Sequence, residues 1–292
     1  METKPKIAFF GTPQIAVWVL QELEAAGIVP DLVVTNPDRQ QGRGLKITPT
    51  PVKNWAMQRN IPVIQPQSLL KKEELDPALA EPWDLFVVVA YGLILPKWFI
   101  ELPKFGTINL HPSLLPKLRG ASPIRTSILE GMKDTGVTIM LMDEKMDHGP
   151  ILDQEAALLP FPVEGQVLDE ALASQGGKLL AKVIPRWVAG QITPKEQDHA
   201  EATYSKKITK EMGELILDPF HLPRGKEAYD IYLKICAFDG WPGTFFFFKN
   251  KRIKITEAFL SDEQDASLEI NKVIPEGKKE ISFKEFLNQV AN

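Results

Sequence analysis

Residues 85–90, LFVVVA, are an unbroken apolar run, the pattern of a central parallel strand covered on both faces. Residues 6–10, KIAFF, read as a second buried strand. A Gly11-Thr12-Pro13 turn then leads into a helix whose apolar positions, Ile15, Val19, Leu20 and Leu23, keep a 3.6-residue period. Thr12 is placed to cap that helix, with Pro13 at its first position. Further strands are expected at 30–35, 63–64, 106–111 and 135–142. Helices are expected at 55–59, 70–80, 124–130 and 165–189, the last stopped by Gly190. Strands alternating with helices predict an α/β fold: a Rossmann-like, mostly parallel sheet with helices on both faces. The opening lacks G-x-G-x-x-G, so a dinucleotide site is not supported.

The pattern changes after residue 190. Residues 191–207 are polar and contain a proline, as a linker would. A helix near 226–237 follows, then the strand-like TFFFFKNKRIKITEAFL at 244–260, with KNKR as a hairpin turn. The expected division is therefore a main domain at 1–190, a linker at 191–207 and a small β-rich, open-barrel-like domain at 208–292.

Composition adds bounds. Of 292 residues, 44% are hydrophobic and 25% charged, the balance of an ordinary globular chain. The single cysteine, Cys236, cannot form an internal disulfide, and no Cys/His cluster has zinc-ligand spacing, so a reducing compartment and no metal are expected. The opening METKPKIAFF has no signal-peptide core and no run reaches ~20 apolar residues, so a cytoplasmic protein, away from membranes, is expected. The net charge of −4 lies wholly in the first 205 residues, because the remainder balances 14 Lys and Arg against 14 Asp and Glu. Wholesale coating by nucleic acid is thereby excluded, while local basic patches remain. Lys249, Lys251, Arg252 and Lys254 form one such patch, fit either to meet nucleic acid or merely to protect a hairpin edge.

The candidate chemistry concentrates in residues 107–125, TINLHPSLLPKLRGASPIR. If 106–111 is a strand, Asn109 and His111 project from one face at its end. Pro112 and Pro116 then force a loop across the carboxyl edge of the sheet, where open α/β folds bind ligands. An Asn-x-His pair so placed serves as a loop anchor or as a catalytic pair. A long connection at 35–53 carries Arg39, Arg43, Lys46 and Lys53 among glycines and prolines, a composition suited to phosphate contacts. The VVVAYGLILP stretch, with Val89, Tyr91, Gly92 and Leu93, is either a plain strand exit or the wall of an apolar pocket whose backbone can bond a flat heterocycle. Asp147, in Asp147-His148-Gly149, is by itself an ordinary turn residue, with Asp143, Glu144 and Asp153 nearby.

Asn109, His111, Ser113-Leu114-Leu115-Pro116 and Arg119-Gly120 resemble the signature of the 10-formyltetrahydrofolate-dependent formyltransferase family. TNPDRQQGRG, YGLILPK and SLLPKLRGASPI together are most similar to the branch that acts on initiator methionyl-tRNA. The resemblance implies transfer of the formyl group of 10-formyltetrahydrofolate, a co-substrate, to the α-amino group of that tRNA's methionine. It assigns catalysis to Asn109, His111 and Asp147, and folate contacts to Ser113, Leu114, Leu115, Pro116, Val89, Tyr91, Gly92 and Leu93. It gives the acceptor stem to Arg39, Arg43 and Lys46. A monomer is expected. His148 stands where the family commonly has Thr. The C-terminal domain is expected to be shorter than the family's, which bears on its binding of tRNA. An amino-sugar nucleotide as acceptor, or a non-catalytic RNA-binding protein on the same fold, are the alternatives.

Overall fold

The structure, a computed structural model, describes residues 4–41, 46–158, 162–261 and 266–291. In chain order the first elements are β1 (Ile7–Gly11), α1 (Gln14–Ala25), β2 (Leu32–Val34), β3 (Arg39–Gln41), β4 (Lys46–Thr48), α2 (Pro51–Met57) and β5 (Val63–Ile64). Next come α3 (Pro77–Ala80), β6 (Leu85–Val89), α4 (Lys97–Ile100), β7 (Thr107–His111), β8 (Arg119–Gly120), α5 (Pro123–Leu129), β9 (Thr135–Leu141) and β10 (Ile151–Ala157). The chain ends with α6 (Gly165–Val188), β11 (Tyr204–Ser205), α7 (Gly225–Ala237), β12 (Thr244–Phe248), β13 (Lys251–Ser261), β14 (Ser267–Pro275), β15 (Ile281–Ser282) and α8 (Phe283–Ala291).

Contacts divide the chain into two units. The first comprises Met1–Gly120, Asp134–Ala157 and Asp169–Tyr204, and the second Ala121–Lys133, Leu158–Leu168 and Ser205–Asn292. The first is built on a seven-stranded sheet of order β10-β9-β7-β6-β1-β2-β5. Strands β7, β6, β1, β2 and β5 pair in parallel, and β9 runs antiparallel to both β7 and β10. This is the mostly parallel α/β sheet that the alternating pattern predicts. After β1 the chain moves outward to β2 on one side, and β6 returns on the other. The carboxyl ends of β1, β6 and β7 thus flank a topological switch point, the usual ligand edge of such sheets.

Packing explains why these strands are central. Every residue of β1 and β6 is buried. On one face Phe10, Phe86 and Phe99 form an aromatic cluster, with Phe10 and Phe86 centroids 5.0 Å apart and Phe86 and Phe99 5.2 Å. On α6, a Cβ at Gly176 would fall 2.4 Å from Cδ1 of the buried Leu110. The missing side chain lets the helix lie close on β7, the strand that carries Asn109 and His111.

Several local expectations are corrected. The helix expected at 70–80 is a 3-10 turn at Lys72–Glu74 and the single turn α3, because Pro77 begins a new helix instead of continuing one. Thr12 does not cap α1. Its hydroxyl donates to the Tyr91 carbonyl at 3.3 Å and accepts from Asn36 N at 3.3 Å, tying β1 to the loops after β2 and β6. The connection at 35–53, for which no strand was expected, contains the antiparallel pair β3 and β4. Val167, an apolar position of the helix expected at 165–189 and so expected to face inward, is 51% exposed.

The second unit has its own core beneath a four-stranded antiparallel sheet of order β12-β13-β14-β15. Lys249 and Asn250, at φ 47° and 60°, join β12 to β13 as a two-residue turn with both central residues left-handed, the geometry that matches strand twist. The KNKR hairpin is therefore present. Phe246, Phe283 and Phe286 pack beneath it with residues of α7 and α8.

Candidate active site

The site lies in the first unit and begins with strand alternation. In β7, Asn109 pairs with Val88 and Met140, and His111 with Thr138. The two side chains share one face two residues apart. Asn109 is half-buried, and its amide bonds no described residue. His111 is 4% exposed.

The loop that follows fixes the imidazole. Thr138 Oγ1 donates to the Ser113 carbonyl at 2.6 Å and accepts from Leu115 N at 3.2 Å, pinning the loop to β9. Gln154 Nε2 donates to the Leu115 carbonyl at 2.9 Å. Ser113 Oγ donates to the Lys117 carbonyl at 2.6 Å. The chain then passes through Leu118 at φ 59°, held by its N–H to Thr203 Oγ1 at 2.8 Å. This sets the Leu118 carbonyl 3.0 Å from His111 Nε2. A carbonyl only accepts, so Nε2 carries a proton, and Nδ1 is the nitrogen left for chemistry.

Nδ1 faces Asp147, with Oδ1 at 3.6 Å. The other carboxylate oxygen, Oδ2, accepts the Gly120 N–H at 2.7 Å. Asp147 itself has φ 50°, a left-handed conformation that Asp tolerates better than most residues. Two residues on, a Cβ at Gly149 would stand 2.0 Å from the Leu141 carbonyl oxygen, so only glycine permits this turn beside β9. The nearby Asp143 meets His148 Nδ1 at 2.6 Å.

The segment 191–204 supplies residues that sequence reasoning missed. Gln197 Nε2 donates to the carbonyls of Asp147 and Gly149 at 3.0 and 2.7 Å. Its Oε1 accepts from Arg119 Nε and Nη2 at 3.1 and 2.6 Å. Arg119 Nη2 also meets His199 Nδ1 at 2.8 Å, and the His199 ring stacks on His148 with centroids 4.0 Å apart. No spacing rule links position 197 to 147. Nothing in the residue type set it apart, since Gln197 is one of many polar side chains in a stretch that reads as linker.

The remaining expected residues are placed as follows. Val89 and Tyr91 turn their side chains into the core at 1% and 2% exposure. The stretch from Ala90 to Leu93 is bent by positive φ at Ala90 and Gly92, both exposed, with Ile94 exposed beyond it, and the Tyr91 carbonyl is taken by Thr12 and Asn36. Leu115 is buried, Leu114 and Pro116 half-buried, and the Ser113 hydroxyl is engaged within its own loop. Arg39 is exposed on β3. Arg43 lies outside the described residues, as does the side chain of Lys46. Lys53 faces inward and donates to Asp38 Oδ2 at 2.6 Å and Gln65 Oε1 at 2.7 Å. Among the described residues no group of three or more His, Cys, Asp or Glu could hold a metal ion, and no helix is long and apolar enough to cross a membrane.

An amide donor and an imidazole on one strand face, with a carboxylate beside the second ring nitrogen, suit attack by an amine on a carbonyl group. Comparison with known proteins gives the family. The formyl transferase model matches residues 5–184, and the model for the formyl transferase C-terminal domain matches residues 225–267. The chain belongs to the formyl transferase family. The methionyl-tRNA formyltransferase of Methylococcus capsulatus is 37% identical over 97% of this chain and 96% of its own. Among solved structures, a methionyl-tRNA formyltransferase from Clostridium thermocellum superposes with a TM-score of 0.57, at 19% identity over 91% of this chain and 99% of that one. A 4-N formyltransferase from Francisella tularensis gives 0.65, at 20% identity over 87% and 97%. At such identities the two structures speak for the fold alone.

Proposed function

We propose that this chain transfers the formyl group of 10-formyltetrahydrofolate to the α-amino group of methionine on the initiator tRNA, the formylation that precedes translation initiation. For the chemistry, the supporting observation is His111 Nδ1 between the Asn109 face of β7 and the Asp147 carboxylate. For the acceptor, it is similarity to methionyl-tRNA formyltransferases along nearly the whole of both chains, C-terminal unit included.

The neutral amine attacks the formyl carbon, forming a C–N bond as the carbonyl becomes an oxyanion. Asn109 donates its amide N–H to that oxygen. His111 donates from Nδ1, with both ring nitrogens protonated and the Asp147 carboxylate balancing the charge. Asp147 accepts the proton that the attacking nitrogen sheds. Collapse of the adduct breaks the bond to N10 of the folate, which takes up a proton and leaves as tetrahydrofolate. The sum is formyl-amide plus tetrahydrofolate, with no covalent enzyme intermediate. The exposed Ala90 and Gly92 and the half-buried Leu93, Leu114 and Pro116 would hold the folate, and Arg39, Arg43 and Lys46 the acceptor stem.

The test is formyl transfer to methionyl initiator tRNA beside the same assay on a 4-amino sugar nucleotide. Transfer to the tRNA, lost in Asn109→Ala and Asp147→Ala, is the expected result. Transfer to the sugar alone would overturn the acceptor, and no transfer to either would overturn the chemistry.

A further inference from the structure

The Asp147 turn is held by more than its own residues. Its two inward carbonyls, those of Asp147 and Gly149, converge on a single side-chain amide, Gln197 Nε2, at 3.0 and 2.7 Å. Gln197 is 5% exposed, so water does not compete freely for these bonds. Its orientation follows from its partners. Carbonyls only accept, so the atom facing them is the NH₂. The guanidinium of Arg119 only donates, so the atom facing it is the oxygen. A flipped amide would set donor against donor on one side and acceptor against acceptors on the other.

Arg119 is itself 2% exposed and adjoins Gly120, whose N–H binds Asp147 Oδ2 at 2.7 Å. The dipeptide Arg119-Gly120 thus holds Asp147 twice. Gly120 N reaches the carboxylate directly, and the Arg119 side chain reaches the main chain of the same residue through Gln197. The result is a closed ring of hydrogen bonds around a residue at positive φ, and its free output is Oδ1, 3.6 Å from His111 Nδ1.

We infer that Gln197 is a positioning residue of the active site: with Arg119 behind it, it fixes the backbone of the Asp147 turn and so aims the carboxylate at His111. The inference rests on the role given to Asp147 above. Gln197 is not offered as touching substrate. Its loss lowers kcat and leaves the KM for folate and for tRNA nearly unchanged, and it acts only through Asp147.

The test is a double-mutant cycle on the full chain, read by single-turnover formyl transfer so that slow variants remain measurable. Gln197→Met removes the donors and the acceptor. Gln197→Glu keeps an acceptor for Arg119 and removes the donors to the turn, so it stands in should Gln197→Met fail to fold by circular dichroism. Either variant is expected to lower kcat tenfold or more with both KM values within about threefold. In the Asp147→Ala background the same substitution is expected to change the residual rate less than twofold. An equal loss in both backgrounds, a rise in KM with kcat intact, or no loss at all would overturn the inference. Full activity of Asp147→Ala alone would instead overturn the role of Asp147, and the inference with it; loss in Asp147→Ala with unchanged Gln197 variants overturns the inference only.

Discussion

Nε2 of His111 is committed to the Leu118 carbonyl, so whatever the ring does passes through Nδ1. That makes Asn109, half-buried and without a described partner, the donor most open to a substrate. Asn109→Ala is expected to lower kcat by about 10²–10³, the usual cost of one lost oxyanion donor. Asn109→Asp, though closer in shape, is expected to lose at least as much because it replaces a donor by an acceptor. Comparing the two rates checks that donation, and not side-chain bulk, matters. Tyr91 makes the opposite case. Its side chain is 2% exposed, its hydroxyl has no partner among the described residues, and burial pushes the phenol well above its usual pKa. An unpaired buried hydroxyl costs stability, so Tyr91→Phe is expected to raise it by about 1 kcal/mol, read as a higher melting temperature with activity retained.

The hairpin of β3 and β4 is anchored by a small polar network at its base. Lys53 and Gln65 both bond the carboxylate of Asp38, at 2.6 and 2.7 Å, and Gln65 Nε2 also reaches the Asn36 carbonyl at 2.8 Å. The hydrogen bond from Lys53, then that from Gln65, lowers the pKa of Asp38. A lowered carboxyl contributes stability above its ordinary titration range and loses it as pH falls through that range toward the folded value. Melting curves taken on acidification should therefore show less acid sensitivity in Lys53→Met than in the parent, with the two differing most at neutral pH. At this same scale the sequence was legible where periodicity was strong. The runs in β1 and β6, the Asn109 and His111 alternation in β7 and the long α6 are all where the pattern put them. Strand β10 was not read, because Gln154, Glu155 and Ala156 are exposed and a bulge falls between Ile151 and Asp153, which erases alternation in this edge strand. Asp147 was readable as a turn residue and, by resemblance, as a site residue. Gln197 was not, because its partners lie 50 and 78 positions away and no local rule couples them.

For the molecule as a whole, a chain of net charge −4 must meet a polyanion through a few local cations. Few phosphates are then neutralised, and the salt dependence of tRNA binding should be correspondingly shallow. Arg39→Ala is expected to reduce the slope of log affinity against log salt by about 1, a measurement that separates a phosphate contact from a structural role. The second unit is stabilised independently of this chemistry. Phe246 is fully buried in its core, and Phe246→Ala should cost about 3–5 kcal/mol, seen as a lowered melting temperature.

The second unit is also discontinuous in sequence, since α5 belongs to it by contact and packs against α7. During synthesis α5 is complete at residue 129, whereas α7 begins at residue 225. At ribosomal speeds the nascent chain waits about 5–20 s for the partner helix. Through that interval Ile124 and Ile128, buried in the finished protein, lack the helix that packs against α5. A ribosome stalled in that window would hold out an apolar segment for chaperones to bind, a few residues past the Asn109 and His111 motif.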